Sequence, residues 1–200
     1  MKKAISLLLV LVMCLSLCAC GGGNNNTPET TEVTTAPTEA EPIVYQIGDT
    51  VNTDIAELVL IGVSYADRYS ICVPKDGYSF IVIDYSLKNI GKTNFGFFHT
   101  RNERDSKLPS QIVWVDYNDG YIFDAGDVEG KDGQSYHWSS FVEPANALIS
   151  DLKPLSEAVT YQVAICVPNE VIENNDAPLL ININLLNEAG ETVTAIYSIR

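Results

Sequence analysis

Residues Tyr78 to Asn89 read YSFIVIDYSLKN, and this stretch decides the fold. Ile81, Ile83, Tyr85 and Leu87 fall on one parity, with Asp84, Ser86 and Lys88 on the other. A period of two is the signature of a strand with one face in a core, because successive strand side chains point to opposite sides. A helix would need apolar residues three and four apart.

The same period recurs on both sides of that stretch. Ala56 to Tyr65 reads AELVLIGVSY, and Ile112 to Tyr117 and Tyr121 to Asp124 flank Asn118-Asp119-Gly120. The Asp-Gly step between alternating segments is a tight-hairpin signal. Tyr136 to Phe141 is a weaker strand. Ala158 to Val167 reads AVTYQVAICV and puts Val159, Tyr161, Val163, Ile165 and Val167 on one face. Leu179 to Leu186 and Val193 to Ile199 are joined by Asn187-Glu188-Ala189-Gly190-Glu191 as a further hairpin. No long helical pattern occurs; Pro168 to Asn174 suits one helical turn. The reading is all-β: an antiparallel immunoglobulin-like sandwich of about 7–9 strands, filling residues 43–200 as one domain. The immunoglobulin Cys…Trp…Cys spacing is absent.

The residues before the domain have another character. Met1-Lys2-Lys3 opens the chain, and Ala4 to Leu17 is uncharged and rich in Leu and Val. That is the layout of a signal peptide, and it is too short for a membrane span of about 20 apolar residues. It ends Leu17-Cys18-Ala19-Cys20, which resembles the lipobox of bacterial lipoproteins, with Cys18 where Ala, Ser or Thr is usual. The resemblance implies cleavage after residue 19 and a diacylglycerol thioether on Cys20. Two acyl chains anchor stably where one binds marginally. Residues 1–19 are then a signal, and 20–42 a lipidated tether. Gly21 to Asn26 contains only Gly and Asn, and Thr27 to Pro42 holds six Thr, four Glu and three Pro with no aromatic residue. Such a composition cannot bury enough apolar area to offset its chain entropy. Between coil and full extension it spans roughly 25 to 70 Å. The expected location is the extracellular face of the bacterial cell membrane.

The formal charge is −14, and losing Lys2 and Lys3 with the signal makes it −16. Nucleic acid and anionic lipid are repelled by such a chain, so neither is an expected partner. The membrane is met through the lipid on Cys20, and a protein or glycan is the expected extracellular partner.

Ile47-Gly48-Asp49-Thr50-Val51, the FIVIDYSLKN segment, Leu152-Lys153-Pro154-Leu155-Ser156-Glu157, and a strand ending Val167-Pro168 before two closing strands follow one another in order. This arrangement resembles the immunoglobulin-like domains of Gram-positive surface lipoproteins related to the immunoprotective extracellular protein fold, over most of residues 45–200. Residues 99–150 match poorly. The resemblance implies a binding or scaffolding module and brings no catalytic residues.

Candidate chemistry is sparse. His99 and His137 are the two histidines, and no GxSxG elbow, HExxH, Walker loop or CxxC pair is present. His137 sits in Tyr136-His137-Trp138-Ser139-Ser140, where a Ser two residues along faces the same way. That arrangement, or a carboxylate pair, would suit the alternative reading, a cell-surface hydrolase acting on envelope or host polymer. No catalytic residue, cofactor or metal ligand is assigned. Asp116, Asn118, Asp119, Asp124 and Asp127 offer oxygens for calcium, but Gly120 and Asp127 miss the EF-hand positions, and the hairpin accounts for Asp119-Gly120. Cys72 and Cys166 share Ile-Cys-Val-Pro; an exported pair can form a disulfide or remain as two reduced thiols. Cys166 lies off the Val159–Val167 stripe. Phe95, Phe97 and Phe98, with Trp114, Tyr121, Tyr136 and Trp138, make either an aromatic platform or core packing under loops.

Overall fold

Alternation along the chain turns into the strands it implies. The computed structural model describes residues 41–94, 113–137, 142–143 and 152–200, which fall in one compact unit, Glu41–Arg200. In chain order its elements are β1 (Val44–Tyr45), β2 (Thr50–Asn52), β3 (Ala56–Ala66), β4 (Tyr78–Asn89), β5 (Val113–Tyr117), β6 (Tyr121–Asp124), β7 (Val128–Glu129), β8 (Ser135–Tyr136), β9 (Val142–Glu143), β10 (Val159–Pro168), α1 (Asn169–Glu173), β11 (Leu179–Leu186) and β12 (Thr192–Ser198). The seven longest strands are the periodic segments of the sequence. The surplus over the expected 7–9 consists of two- and three-residue strands, too short to show a period.

One sheet runs β1-β12-β11-β5-β6 and the other β2-β3-β4-β10-β9, with β7-β8 as a separate ribbon. Within these, β3-β4-β10-β9 and β12-β11-β5-β6 follow the ABED and GFCC′ orders of an immunoglobulin-like sandwich. Among the described residues all strand pairings are antiparallel except β1 with β12, which is parallel. The chain changes sheets between β1 and β2 through a turn at Gly48, whose φ of +92° favours glycine. Asp49 closes that turn by accepting the Gln46 N–H at 2.8 Å.

Both inner faces meet in one core. From the second sheet come Leu58, Leu60, Ile81, Ile83, Tyr85, Leu87, Tyr161, Val163 and Ile165; from the first come Val115, Ile181, Ile183, Ala195 and Tyr197. Tyr85 and Tyr161 are cross-strand partners and stack with centroids 5.5 Å apart. A bulge between Leu60 and Gly62 leaves Ile61 without an opposite residue and 49% exposed, which keeps Leu60 and Val63 both facing in. Asn118 and Asp119 adopt φ of +51° and +53° in the three-residue loop between β5 and β6, a conformation these residue types tolerate.

Candidate functional site

The outer face of the second sheet departs from a simple sandwich. Opposite pairs Cys166–Phe80, Ala164–Val82 and Gln162–Asp84 stand on that face. Polar residues would suit a solvated face, yet Phe80 and Ala164 are buried, and Val82 is 5% exposed. Two structures cover them. In the first, Tyr69 and Cys72 exchange both backbone hydrogen bonds at 3.0 Å, tightening the loop after β3. The second is the β7-β8 ribbon. Val73 accepts the Lys131 N–H at 2.9 Å and Glu129 accepts the Lys75 N–H at 3.1 Å, so loop and ribbon form one cap. Tyr69, Cys72, Phe80, Val82, Val128 and Ala164 make a second apolar cluster beneath it, with Tyr136 and Cys166 packed against them.

Polar contacts fix the cap in register. Tyr69 Oη donates to Gln162 Oε1 at 2.8 Å, and Gln162 Nε2 donates to Asp84 Oδ1 at 2.6 Å. Tyr136 Oη donates to Asp132 Oδ2 at 2.5 Å, which with the Gln134 N–H holds the Asp132 carboxyl below its ordinary range. Gly130 lets the ribbon close: a methyl there would stand 2.7 Å from Tyr136 Cε2. On the outside, Lys75 Nζ lies 3.1 Å from Glu129 Oε2 and 5.0 Å from the Tyr78 ring centre.

Three clefts open beside the cap and the β6 edge. One, of about 220 Å³, lies among Ile122, Phe123, Asp124, Asp127, Val128 and Cys166. Another, of about 290 Å³, lies among Lys75, Tyr78, Glu129 and the same Asp127, Val128 and Cys166. The third, of about 200 Å³, reaches from Tyr117, Tyr121 and Phe123 to Glu170. Each is at or below the small end of pockets that enclose a drug-sized ligand, and suits a side chain or a single ring. Burial, then the neighbouring Cys72, pushes the Cys166 thiol up to about 11, so it is protonated near neutrality and is a poor nucleophile there.

The candidate residues of the sequence scatter. His137 is half-exposed, with Nε2 3.9 Å from Asp127 Oδ1, too long for a hydrogen bond between them. Asp116 and Asp124 leave the outer face of the first sheet beside Ile122 and Trp114, while Asp119 sits in the hairpin loop. Among the described residues no three of His, Cys, Asp and Glu converge on a metal position. Trp114 is half-buried, Tyr136 reaches from the ribbon to pack against the second cluster, and Tyr121 is 61% exposed. Cys72 and Cys166 are free thiols in the same cluster. Cys20, Phe95, Phe97, Phe98, His99, Trp138 and Ser139 lie outside the described residues, as do the segments 1–19 and 20–40. The cap was missed in the sequence, although unbroken apolar runs at Phe80-Ile81-Val82-Ile83 and Ala164-Ile165-Cys166-Val167 signal strands covered on both faces.

No family model and no curated protein matches the chain. Among solved structures it is similar to an uncharacterized β-sandwich protein from Clostridium difficile 630, with 18% identity over 82% of this chain and 100% of that one and a TM-score of 0.50. A conserved hypothetical protein from Bacillus anthracis matches with 15% identity over 78% of this chain and 95% of that one, at a TM-score of 0.42. The Clostridium likeness bears on fold alone, and with the two facing sheets it shows that the chain is a β-sandwich protein.

Proposed function

We propose that the chain is a membrane-anchored surface lipoprotein of the Gram-positive immunoglobulin-like kind, presenting a non-catalytic interaction module. The lipobox-like Leu17 to Cys20 and the Gly/Asn then Thr/Pro/Glu tether support the anchor. The observation that carries the module is the edge strand β6. Among the described residues it pairs only with β5. Its Tyr121 and Ile122 are 61% and 56% exposed, and clefts lie on either side of its Phe123. An edge strand with exposed apolar side chains and neighbouring pockets is a template for an added strand or a docked loop. The partner class is an extracellular protein or glycan.

Two experiments test this. Cys20→Ser should move the protein from the membrane to the soluble fraction, and the mature chain should begin at Cys20 by mass spectrometry; any other start defeats the anchor. Wild-type protein should capture an envelope partner that Ile122→Lys loses while remaining folded by circular dichroism. Turnover of an envelope polymer, abolished by His137→Ala, would replace the module with the hydrolase.

A further inference from the structure

The two cysteines left in the domain lie far apart in the sequence, one in the loop after β3 and one in β10, and meet under one cap. Tyr69 and Cys72 are directly opposite in an antiparallel bridge, so their side chains leave it on the same side. Tyr69 identifies that side: its ring lies 6.1 Å from Phe80 and its hydroxyl reaches Gln162 on the outer face of β10. Cys72 therefore points down at the same face and is fully buried there. Cys166 stands in the Gln162–Ala164–Cys166 row, opposite Phe80, and packs against the cluster that contains Cys72. The two differ in access. Cys166 lines both clefts beside Asp127 and Val128, whereas Cys72 is sealed by the loop.

We propose that Cys72 and Cys166 are a modification site, a dithiol that closes to an intramolecular disulfide and staples the cap to β10. The chemistry is thiol–disulfide exchange with an external disulfide. The minority of Cys166 present as thiolate, small near neutrality and larger at alkaline pH, attacks one sulfur of that reagent, forming a mixed disulfide and releasing one thiol. The Cys72 thiolate then attacks Cys166 Sγ, forming the Cys72–Cys166 bond and expelling the second thiol. The pair loses two electrons and two protons, and the reagent gains them as two thiols. Access sets the order, since only Cys166 borders open space. The pair's chemistry is independent of the anchor reading; only the supply of an oxidising compartment in the cell rests on it.

The test uses purified full-length protein with oxidised glutathione at mildly alkaline pH, where more of Cys166 is thiolate, quenched with acid, alkylated and digested with trypsin. The expected product is the Tyr69–Lys75 peptide joined to the peptide carrying Cys166, two hydrogens short of the separate peptides. The linked form should melt roughly 5–15 °C above the reduced form. Glutathione remaining on Cys166 with Cys72 still alkylated would overturn the proposal, as would bonds from either residue to Cys14, Cys18 or Cys20. In Cys166→Ala, Cys72 should resist glutathione while the protein is folded. Modification of Cys72 at the wild-type rate in that variant would overturn the order of attack, and the wild-type peptide map decides the pairing even if the variant folds poorly.

Discussion

The core between the sheets and the cluster under the cap share one strand but differ in how they are held. Along β4, Ile81, Ile83, Tyr85 and Leu87 enter a core supplied by both sheets. Phe80 and Val82, on the alternate parity, enter the smaller cluster, and from Asp84 onward that parity turns polar. The cap therefore covers only one half of the outer face, and its border falls where Asp84 and Gln162 bond to each other. The core is held by apolar burial across many strands. The cap is a loop and a two-stranded ribbon, held by fewer apolar contacts and by named hydrogen bonds. Few buried contacts make such a unit the one that opens first.

Neighbouring substitutions on β4 break this comparison most directly. Ile83→Ala should cost about 2–5 kcal/mol, the usual range for truncating a fully buried Ile. Val82→Ala removes two methyl-sized groups from a residue 5% exposed and should cost about 1.5 kcal/mol. Urea unfolding measures both. Equal losses would make the cap part of one continuous core, and no loss at Val82 would mean that the cap is open in solution.

A smaller effect is expected at alkaline pH, and it belongs to the cap. Burial, and then Cys72, pushes Cys166 from its ordinary 9.0 up to about 11. The unfolded chain releases this proton first, so the contribution is intact below about 9 and is lost as pH rises from there through about 11. Cys166→Ala should shrink the alkaline loss of stability, leaving the share of Cys72, whose thiol burial also raises, and of the buried tyrosines. Burial raises Tyr161 as well, and takes Tyr197 up to about 12. Melting curves from about pH 8 to 11 measure the size of the loss. A loss of unchanged size in the variant would mean that the Cys166 thiol is already solvated in the native state.

The different legibility of the two regions has the same cause. The bounds of β4, β6 and β11 were readable to the residue because Gly77, Gly120 and Pro178 stand just before each start, and the alternation from Asp84 to Lys88 marks the part of β4 that the cap leaves uncovered. The cap's own strands, Val128–Glu129 and Ser135–Tyr136, are too short to carry a period. Their stability comes from bonds between residues far apart, such as Lys131 with Val73. The meeting of Cys72 with Cys166 was invisible for the same reason: the repeated Ile-Cys-Val-Pro says nothing of distance, although the parity of Cys166 placed it correctly outside the main stripe. The exposure of Tyr121 and Ile122 follows from β6 being a sheet edge, which depends on strand order and not on local pattern.

Tyr69→Phe sharpens the comparison at the level of a single bond. It keeps the ring against Phe80 and removes only the hydroxyl that donates to Gln162 Oε1. Gln162 keeps its other bond, to Asp84. The expected cost is about 1 kcal/mol. Hydrogen exchange should quicken at the Tyr69 and Cys72 amides and stay unchanged at Ile83 and Ile181. Quickening across both regions would show that cap and core open together.

The smallest effect is expected from the ion pair that visibly bridges the two halves of the cap. Lys131 Nζ stands 2.7 Å from Asp76 Oδ1, but the side chains are 55% and 91% exposed. Water and salt screen such a pair, and holding two mobile side chains in one geometry costs entropy that offsets the attraction. The Lys131 backbone bond to Val73 survives any substitution of the side chain except proline. Lys131→Ala should therefore leave the urea midpoint within experimental scatter, and the Lys131 amide should exchange at its wild-type rate in low and high salt alike. If instead that amide loses protection, and wild-type protein loses it equally at high salt, surface charge holds the cap. The contrast with the core would then be one of electrostatics against burial, in place of few apolar contacts against many.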